Sequence, residues 1–200
     1  MIIRVIRVMQ VVVLTNDILK KELLSDASSL QEEIIWIENL RQISEHQNAD
    51  VFIDLLFDTE HLTILQSLLP KTVIINSVEK NLAEIGPSFV RINAWPGFLK
   101  SSTIEASSLN DNNKEVAQKI FALFKKKLEW LPDESGFVTP RVISMIINEA
   151  FIALKEGVST REEIDTAMKL GTNYPYGPFE WAEKIGMEKV DSLLTQLRKK

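Results

Sequence analysis

The stretch from Gly136 to Glu188, GFVTPRVISMIINEAFIALKEGVSTREEIDTAMKLGTNYPYGPFEWAEKIGME, leaves a folding chain few choices, because nearly every helix end in it is written out. Thr139 before Pro140 reads as an N-cap with proline in the first turn, where a missing N–H costs nothing. Apolar residues then recur at helical spacing, from Val142, Ile143, Ile146 and Ile147 to Ala150, Phe151 and Leu154, until Gly157 stops the helix. Ser159-Thr160-Arg161-Glu162 predicts a capping box for a second helix, with a stripe of Ile164, Ala167, Met168 and Leu170 closed by Gly171. The rigid aromatic turn from Asn173 to Gly177 starts a third, short helix at Pro178 that ends at Gly186. A last helix puts Val190, Leu193, Leu194 and Leu197 on one face. A compact helical domain is expected over residues 136–200.

Ahead of it the pattern alternates between strand and helix over residues 1–132. Val11 to Leu14 predicts a buried strand, residues 2–6 another, and Asp17 to Leu24 a short helix. Ile34 to Ile37 fits either a strand or a buried helix. Val51 to Leu56 and Val73 to Ile75 predict strands, separated by a helix capped by Thr59, striped by Leu62, Leu65, Leu68 and Leu69, and stopped at Pro70. Asn112 begins an amphipathic helix with Val116, Ile120, Phe121 and Phe124 inward, and Lys125-Lys126-Lys127 reads as its solvated final turn. Leu128 to Leu131 gives a last strand and Pro132 to Ser135 a linker.

Composition removes whole classes of function. A net charge of −5 without a basic cluster argues against nucleic-acid binding. With no cysteine there is no disulfide, thiolate nucleophile or zinc–thiolate site, and a cytosolic location is expected. The apolar N-terminal run MIIRVIRVMQVVVL is broken by Arg4, Arg7 and Gln10, too short and too polar for a membrane span, and no small-residue cleavage site follows it. His46 and His61 stand among polar residues and read as solvated, and no metal-ligand spacing involves them.

Four runs carry a resemblance. Gly136-Phe137-Val138-Thr139-Pro140-Arg141, Asn148-Glu149-Ala150, Asp165 to Gly171 (DTAMKLG) and Tyr174 to Glu180 (YPYGPFE) follow one another in order. Together they resemble the C-terminal domain of the 3-hydroxyacyl-CoA dehydrogenases, whose signature runs P-G-F-V-x-N-R, N-E-A, D-x-A-M-K-L-G, Y-P-x-G-P-F-E. The resemblance implies a Rossmann-like α/β domain in front, NAD as cofactor, an acyl-CoA substrate, and a homodimer built on the helical domain. It covers residues 136–191 best, 49–135 less closely, and the residues before that least.

Carried onto this chain residue by residue, the resemblance also implies losses. The family opens with a strand, a G-x-G-x-x-G turn and a helix holding the cofactor pyrophosphate; here there is no glycine before Gly86. Residues 11–17 resemble the family's second strand, with Asn16 at its ribose-binding acidic position, so the first βαβ unit is expected to be missing or collapsed. The family's catalytic histidine falls on Asn93 and its partner glutamate on Glu105, twelve residues later. An amide cannot accept a proton at neutral pH, so Asn93 cannot be a general base, and Glu105 alone reads as a structural or solvated carboxylate. Asn76 and Ser77 stand at the family's substrate loop, with Val78 replacing a serine; Pro96 and Pro140 replace asparagines. Expectation follows: a truncated Rossmann-like domain joined to the helical domain, no bound cofactor, NAD-linked oxidation of 3-hydroxyacyl-CoA impaired or lost, and homodimerisation. The alternative is a non-catalytic partner of an active paralogue. A cleft open to acyl-CoA favours the first, one filled by Trp95, Phe98 and Trp130 the second.

Overall fold

The computed structural model describes residues 9–27 and 33–199; the strand expected at residues 2–6 lies outside the described residues. Seven strands form one sheet: β1 (Gln10–Leu14), β2 (Glu33–Ile37), β3 (Val51–Asp54), β4 (Thr72–Asn76), β5 (Val90–Ile92), β6 (Thr103–Ser107) and β7 (Lys127–Trp130), in the order β2-β1-β3-β4-β5-β6-β7. The first five in that order run parallel, β6 is antiparallel to β5, and β7 follows β6. Val11 to Leu14, Val51 to Ile53 and Val73 to Ile75 are buried on both faces, as continuous apolar runs in a parallel sheet must be. One face packs on α4 (Asp111–Leu123) through Ala117, Ile120 and Phe121; the other takes Ile43, Leu65, Leu82 and Phe89.

A doubly wound sheet has the order 3-2-1-4-5-6, and β2-β1-β3-β4-β5 is that order with one of its first three strands absent among the described residues. Val11 pairs with Ile34 on one side and Val51 on the other, as the expected second strand does where the first is absent. Helix α1 (Asp17–Leu23) lies in the chain between β1 and β2, which pair in parallel. Ile34 to Ile37 is strand, and Leu40–His46 forms a 3-10 segment boxed by Asn39 and Gln42.

Local capping chemistry shifts several expected ends. Asp58, not Thr59, caps the turn Thr59–His61 that leads into α2 (Leu62–Ser67), and α4, expected to begin at Asn112, begins at Asp111 with Asn110 as its cap. Beyond α4, Lys125 takes a φ of 56° and turns the chain so that Lys126 points inward. Lys126 is buried, not solvated, its Nζ donating to Asp26 Oδ2 at 2.7 Å and Ser25 Oγ at 2.9 Å.

The helical domain comprises α5 (Thr139–Lys155), α6 (Arg161–Thr172), α7 (Pro178–Ile185) and α8 (Met187–Arg198). Its core joins Ile143, Ile147, Trp181, Ile185, Val190 and Leu193 to Val78 and Trp95 of the sheet domain. The box opening α6 pairs Thr160 with Glu163, one residue later than expected. Helix α6 continues through Gly171, and Asn173 in the left-handed region ends it. Ala167 and Leu170 face outward, and the residue α6 buries is Asp165.

Candidate functional site

The twelve-residue spacing of Asn93 and Glu105 is a property of sheet register. Beta strands β5 and β6 are antiparallel, with Arg91 opposite Ser107 and Ile92 opposite Ala106, so the next pair outward is Asn93 and Glu105. Their main chains bond, Asn93 N to Glu105 O at 2.9 Å, and the Asn93 Nδ2 donates to Glu105 Oε2 at 3.0 Å. The two expected site positions therefore meet. What meets is an amide donor and a carboxylate, a pair that holds geometry and moves no proton.

Glu105 is not alone. Its Oε1 accepts from Val138 N at 3.1 Å, Thr139 N at 2.9 Å and Thr139 Oγ1 at 3.1 Å. It thus caps α5, where Val138 holds the cap position without a capping side chain and Thr139 is the first helical residue. Pro140, the second residue of α5, is buried. The space beside the pair is a hollow of 110 Å³ bounded by Asn93, Phe98, Ser101, Thr103, Glu105 and Thr139. Phe98 closes on it from a stack with Trp181, centroids 4.9 Å apart.

Asn76 and Ser77 line a different hollow, a cleft of 450 Å³ outside the carboxyl ends of β1, β3 and β4, roofed by Glu188, Lys189 and Ser192 of α8. Ligands of open α/β sheets bind at this edge. Both residues are already committed. Asn76 Nδ2 donates to Leu55 O at 3.1 Å and Ala94 O at 3.2 Å, and its Oδ1 accepts Ala94 N at 2.9 Å. Ser77 Oγ donates to Lys80 O at 2.9 Å. At the β1–α1 turn, Asn16 Oδ1 accepts Leu19 N at 3.0 Å and Asp17 adds an acid to the first turn. Deep in the cleft, burial pushes Glu79 above the usual carboxylate range against the pull of Lys189 and Trp95. Trp95 lines the cleft while lying almost wholly within the core.

Three clusters escaped the sequence reading. His61 is not solvated: its Nδ1 lies 2.6 Å from Oδ2 of buried Asp54, at the carboxyl end of β3. Burial raises the Asp54 pKa, and the bond to His61 opposes the rise. An acid ending a four-residue apolar strand was the available signal. Buried Glu22 of α1 accepts Gly97 N through both oxygens, at 2.9 and 2.8 Å, and a side chain at Gly97 would run into Trp181. Arg91, wholly buried in β5, bonds Lys80 O and Glu134 O and pairs with Asp133 at 3.2 Å. Among the described residues no three His, Cys, Asp or Glu side chains are placed to hold a metal ion, and no helix is long and apolar enough to cross a membrane.

The signature runs of the helical domain meet one another. Asp165 accepts Phe179 N at 2.8 Å and Glu180 N at 3.3 Å, capping α7 from a distance of fourteen residues. Lys169 Nζ meets Glu180 Oε1 at 2.6 Å, and Glu180 Oε2 accepts Gly177 N at 2.9 Å. The motif is a helix–helix fastening, so it reports ancestry.

That ancestry is borne out by comparison. Residues 136–200 match the family model for the 3-hydroxyacyl-CoA dehydrogenase C-terminal domain. A probable 3-hydroxybutyryl-CoA dehydrogenase of Bacillus subtilis is 30% identical over 202 aligned positions, covering 90% of this chain and 70% of that one. The 3-hydroxyadipyl-CoA dehydrogenase of Escherichia coli is 39% identical over 101 residues, 50% of this chain, and the match spans only 21% of that protein. In structure, the (S)-3-hydroxybutyryl-CoA dehydrogenase of Ralstonia eutropha superposes with a TM-score of 0.72 at 18% identity, covering 96% of this chain and 88% of that one, which speaks to the fold alone. The fold is a truncated Rossmann-like sheet domain carrying a dehydrogenase-type helical domain. The chain belongs to the 3-hydroxyacyl-CoA dehydrogenase family.

Proposed function

We propose that this chain acts in fatty acyl-CoA metabolism, in the cytosol, as a family member that has given up NAD-linked oxidation of 3-hydroxyacyl-CoA. The observation that carries the reading is the β1–α1 turn. A dinucleotide pyrophosphate needs free backbone N–H groups at a helix N-terminus and glycines that let it approach. Here no glycine precedes Gly86, and at the β1–α1 turn Asn16 occupies the Leu19 N–H with its own side chain while Asp17 adds a negative charge. The residues present do not fit the cofactor that the resemblance implies. The amide at Asn93, in place of a base, supports the same reading.

The cleft above Asn76 remains large enough for part of an acyl-CoA, whereas the hollow beside Asn93 is not. We therefore favour binding without turnover. Titration with NADH, followed by fluorescence, is expected to show no saturable binding below about 100 μM, an affinity of roughly 5.5 kcal/mol. Saturation below that concentration would overturn the reading. In the same samples an acyl-CoA at a hundred times its dissociation constant is expected to stabilise the fold by about 2.7 kcal/mol.

A second reading, a non-catalytic homodimer or the partner of an active paralogue, draws on Phe98, which closes on the hollow beside the pair, on Trp95, which lines the cleft above Asn76, and on the exposed apolar residues of α5. Coenzyme A compounds that leave the melting temperature unchanged would favour it.

A further inference from the structure

The first N–H groups of a helix have no partner within it, and in an exposed helix they are left to water. Val138 is 56% exposed, yet its N–H and that of Thr139 both end on Glu105 Oε1. The carboxylate is held in turn. Its main chain is locked between β5 and β7, and its Oε2 is fixed by Asn93. A fixed anion at a helix N-terminus also meets the positive end of the helix dipole.

A second tie leaves the neighbouring strand β5 two residues before Asn93, on the face of Asn93. Arg91 Nη2 donates to Glu134 O at 2.6 Å and Nη1 to Lys80 O at 3.0 Å, and its guanidinium lies 4.1 Å over the Phe137 ring. Burial draws its pKa down to about 10, which leaves it a cation at neutral pH, facing Asp133. Gly136 N completes the set by donating to Val78 O at 2.7 Å. Residues 133–139, which connect the sheet to the helical domain, are thus tied to the segment after β4, to β5 and to β6.

We infer that Glu105, held by Asn93 and seconded by Arg91, is an interdomain clamp: it fastens α5 to the sheet so that the two domains open and close as one cooperative unit. This role stands whether or not any ligand binds in the cleft. It gives the surviving carboxylate a function that needs no histidine.

Native-state hydrogen exchange tests it in the whole chain. In the wild type, the Val138 and Thr139 amides are expected to exchange as slowly as Ile147 in the middle of α5, although they sit at an exposed helix end. Glu105→Ala should speed both by about tenfold or more, the equivalent of one charge-assisted bond lost. It should also split thermal unfolding into two steps, with the helical domain first. Glu105→Gln, whose amide oxygen still accepts while Asn93 reverses its own amide to face it, should keep most of the protection. Rapid exchange of the two amides in the wild type would overturn the clamp, as would alanine and glutamine variants that behave alike. If the alanine variant does not fold, wild-type exchange and the glutamine variant still decide.

Discussion

A Cβ added at Gly177 would stand 2.3 Å from Asp165 Oδ1 and 2.4 Å from its Cγ, so the glycine is required by the carboxylate behind it and not by its own backbone angles. Asp165 is nearly buried and spends both oxygens on the first N–H groups of α7. Gly177→Ala must therefore displace a cap. Overpacking costs about 1–3 kcal/mol and a lost cap about 1 kcal/mol more. In a chain of this size each of those kcal/mol lowers the melting temperature by about 2–4 °C. A melting temperature within a degree of wild type would mean that Asp165 moves aside freely. The Asn93–Glu105 pair yields the opposite kind of expectation, a change without effect. Asn93→His returns a base opposite Glu105, and general-base catalysis is worth about 10²–10⁴-fold. A base accelerates nothing unless substrate and hydride acceptor are held together, and positioning supplies roughly 7–11 kcal/mol of such a barrier. On the reading proposed above, the hydride acceptor is not held and the 110 Å³ beside residue 93 does not seat the substrate for reaction. Asn93→His, alone or with Pro140→Asn, should consume NADH with acetoacetyl-CoA no faster than a buffer blank. Turnover in either variant would mean that the cofactor site works without its glycines.

Helices α6 and α7 and the turn before α2 all begin on carboxylates, which makes their ends sensitive to acid. Glu163 is held below its ordinary value of 4.5 by the Ser159 hydroxyl and then by Thr160, and Glu180 by Lys169 and then by Gly177 N. Asp58 is held below 3.8 by the Glu60 N–H. A carboxylate whose folded pKa is depressed adds stability above its unfolded value and loses it as pH falls through the folded one. These three carboxylates should keep their contribution down to about pH 4.5 and lose it below, with helix lost in α6 and α7 first, whereas Asp54 and Glu79, raised by burial, favour the fold as pH falls toward their own pKa. The urea midpoint against pH checks this, and Glu180→Gln should flatten its acid limb; an unchanged limb would assign acid sensitivity elsewhere. Such ends were legible in the sequence to within a residue, because a cap and its amides lie three positions apart. What was not legible depends on distant partners. The α5 cap comes from Glu105, thirty-four residues before Thr139; Lys126 is buried by Asp26, a hundred residues away; Arg91 finds Glu134 across forty-three. The neighbours of β1 were not legible for a related reason: four consecutive buried apolar residues identify a strand but not its place in the sheet. At the candidate site, Asn93 and Glu105, twelve residues apart in the sequence, hydrogen-bond each other, while Asn76 and Ser77 line a separate cleft.

Taken whole, the molecule covers its sheet on both faces but leaves α5 half clothed. Its inner side, Ile143, Ile147 and Ala150, is buried on α7 and α8. On its outer side Val138, Val142, Met145 and Ile152 are 56%, 46%, 54% and 40% exposed. Their spacing follows the helical repeat, so they form one stripe, interrupted by Glu149. Val158, in the α5–α6 turn, and Leu170 of α6 are exposed as well, at 69% and 83%. An exposed apolar stripe of this kind supports the expectation of an interface, and a twofold axis near Met145 would lay it on its own copy. The expected state is a homodimer, giving twice 22.8 kDa by light scattering at tens of micromolar. Val142→Glu with Met145→Glu puts like charges across that axis, desolvates them on association, and touches none of the buried side of α5. The double variant should run as a monomer with an unchanged far-ultraviolet spectrum. A wild-type monomer would sink the expectation outright. A dimer that survives both glutamates would keep the assembly but move its interface away from α5.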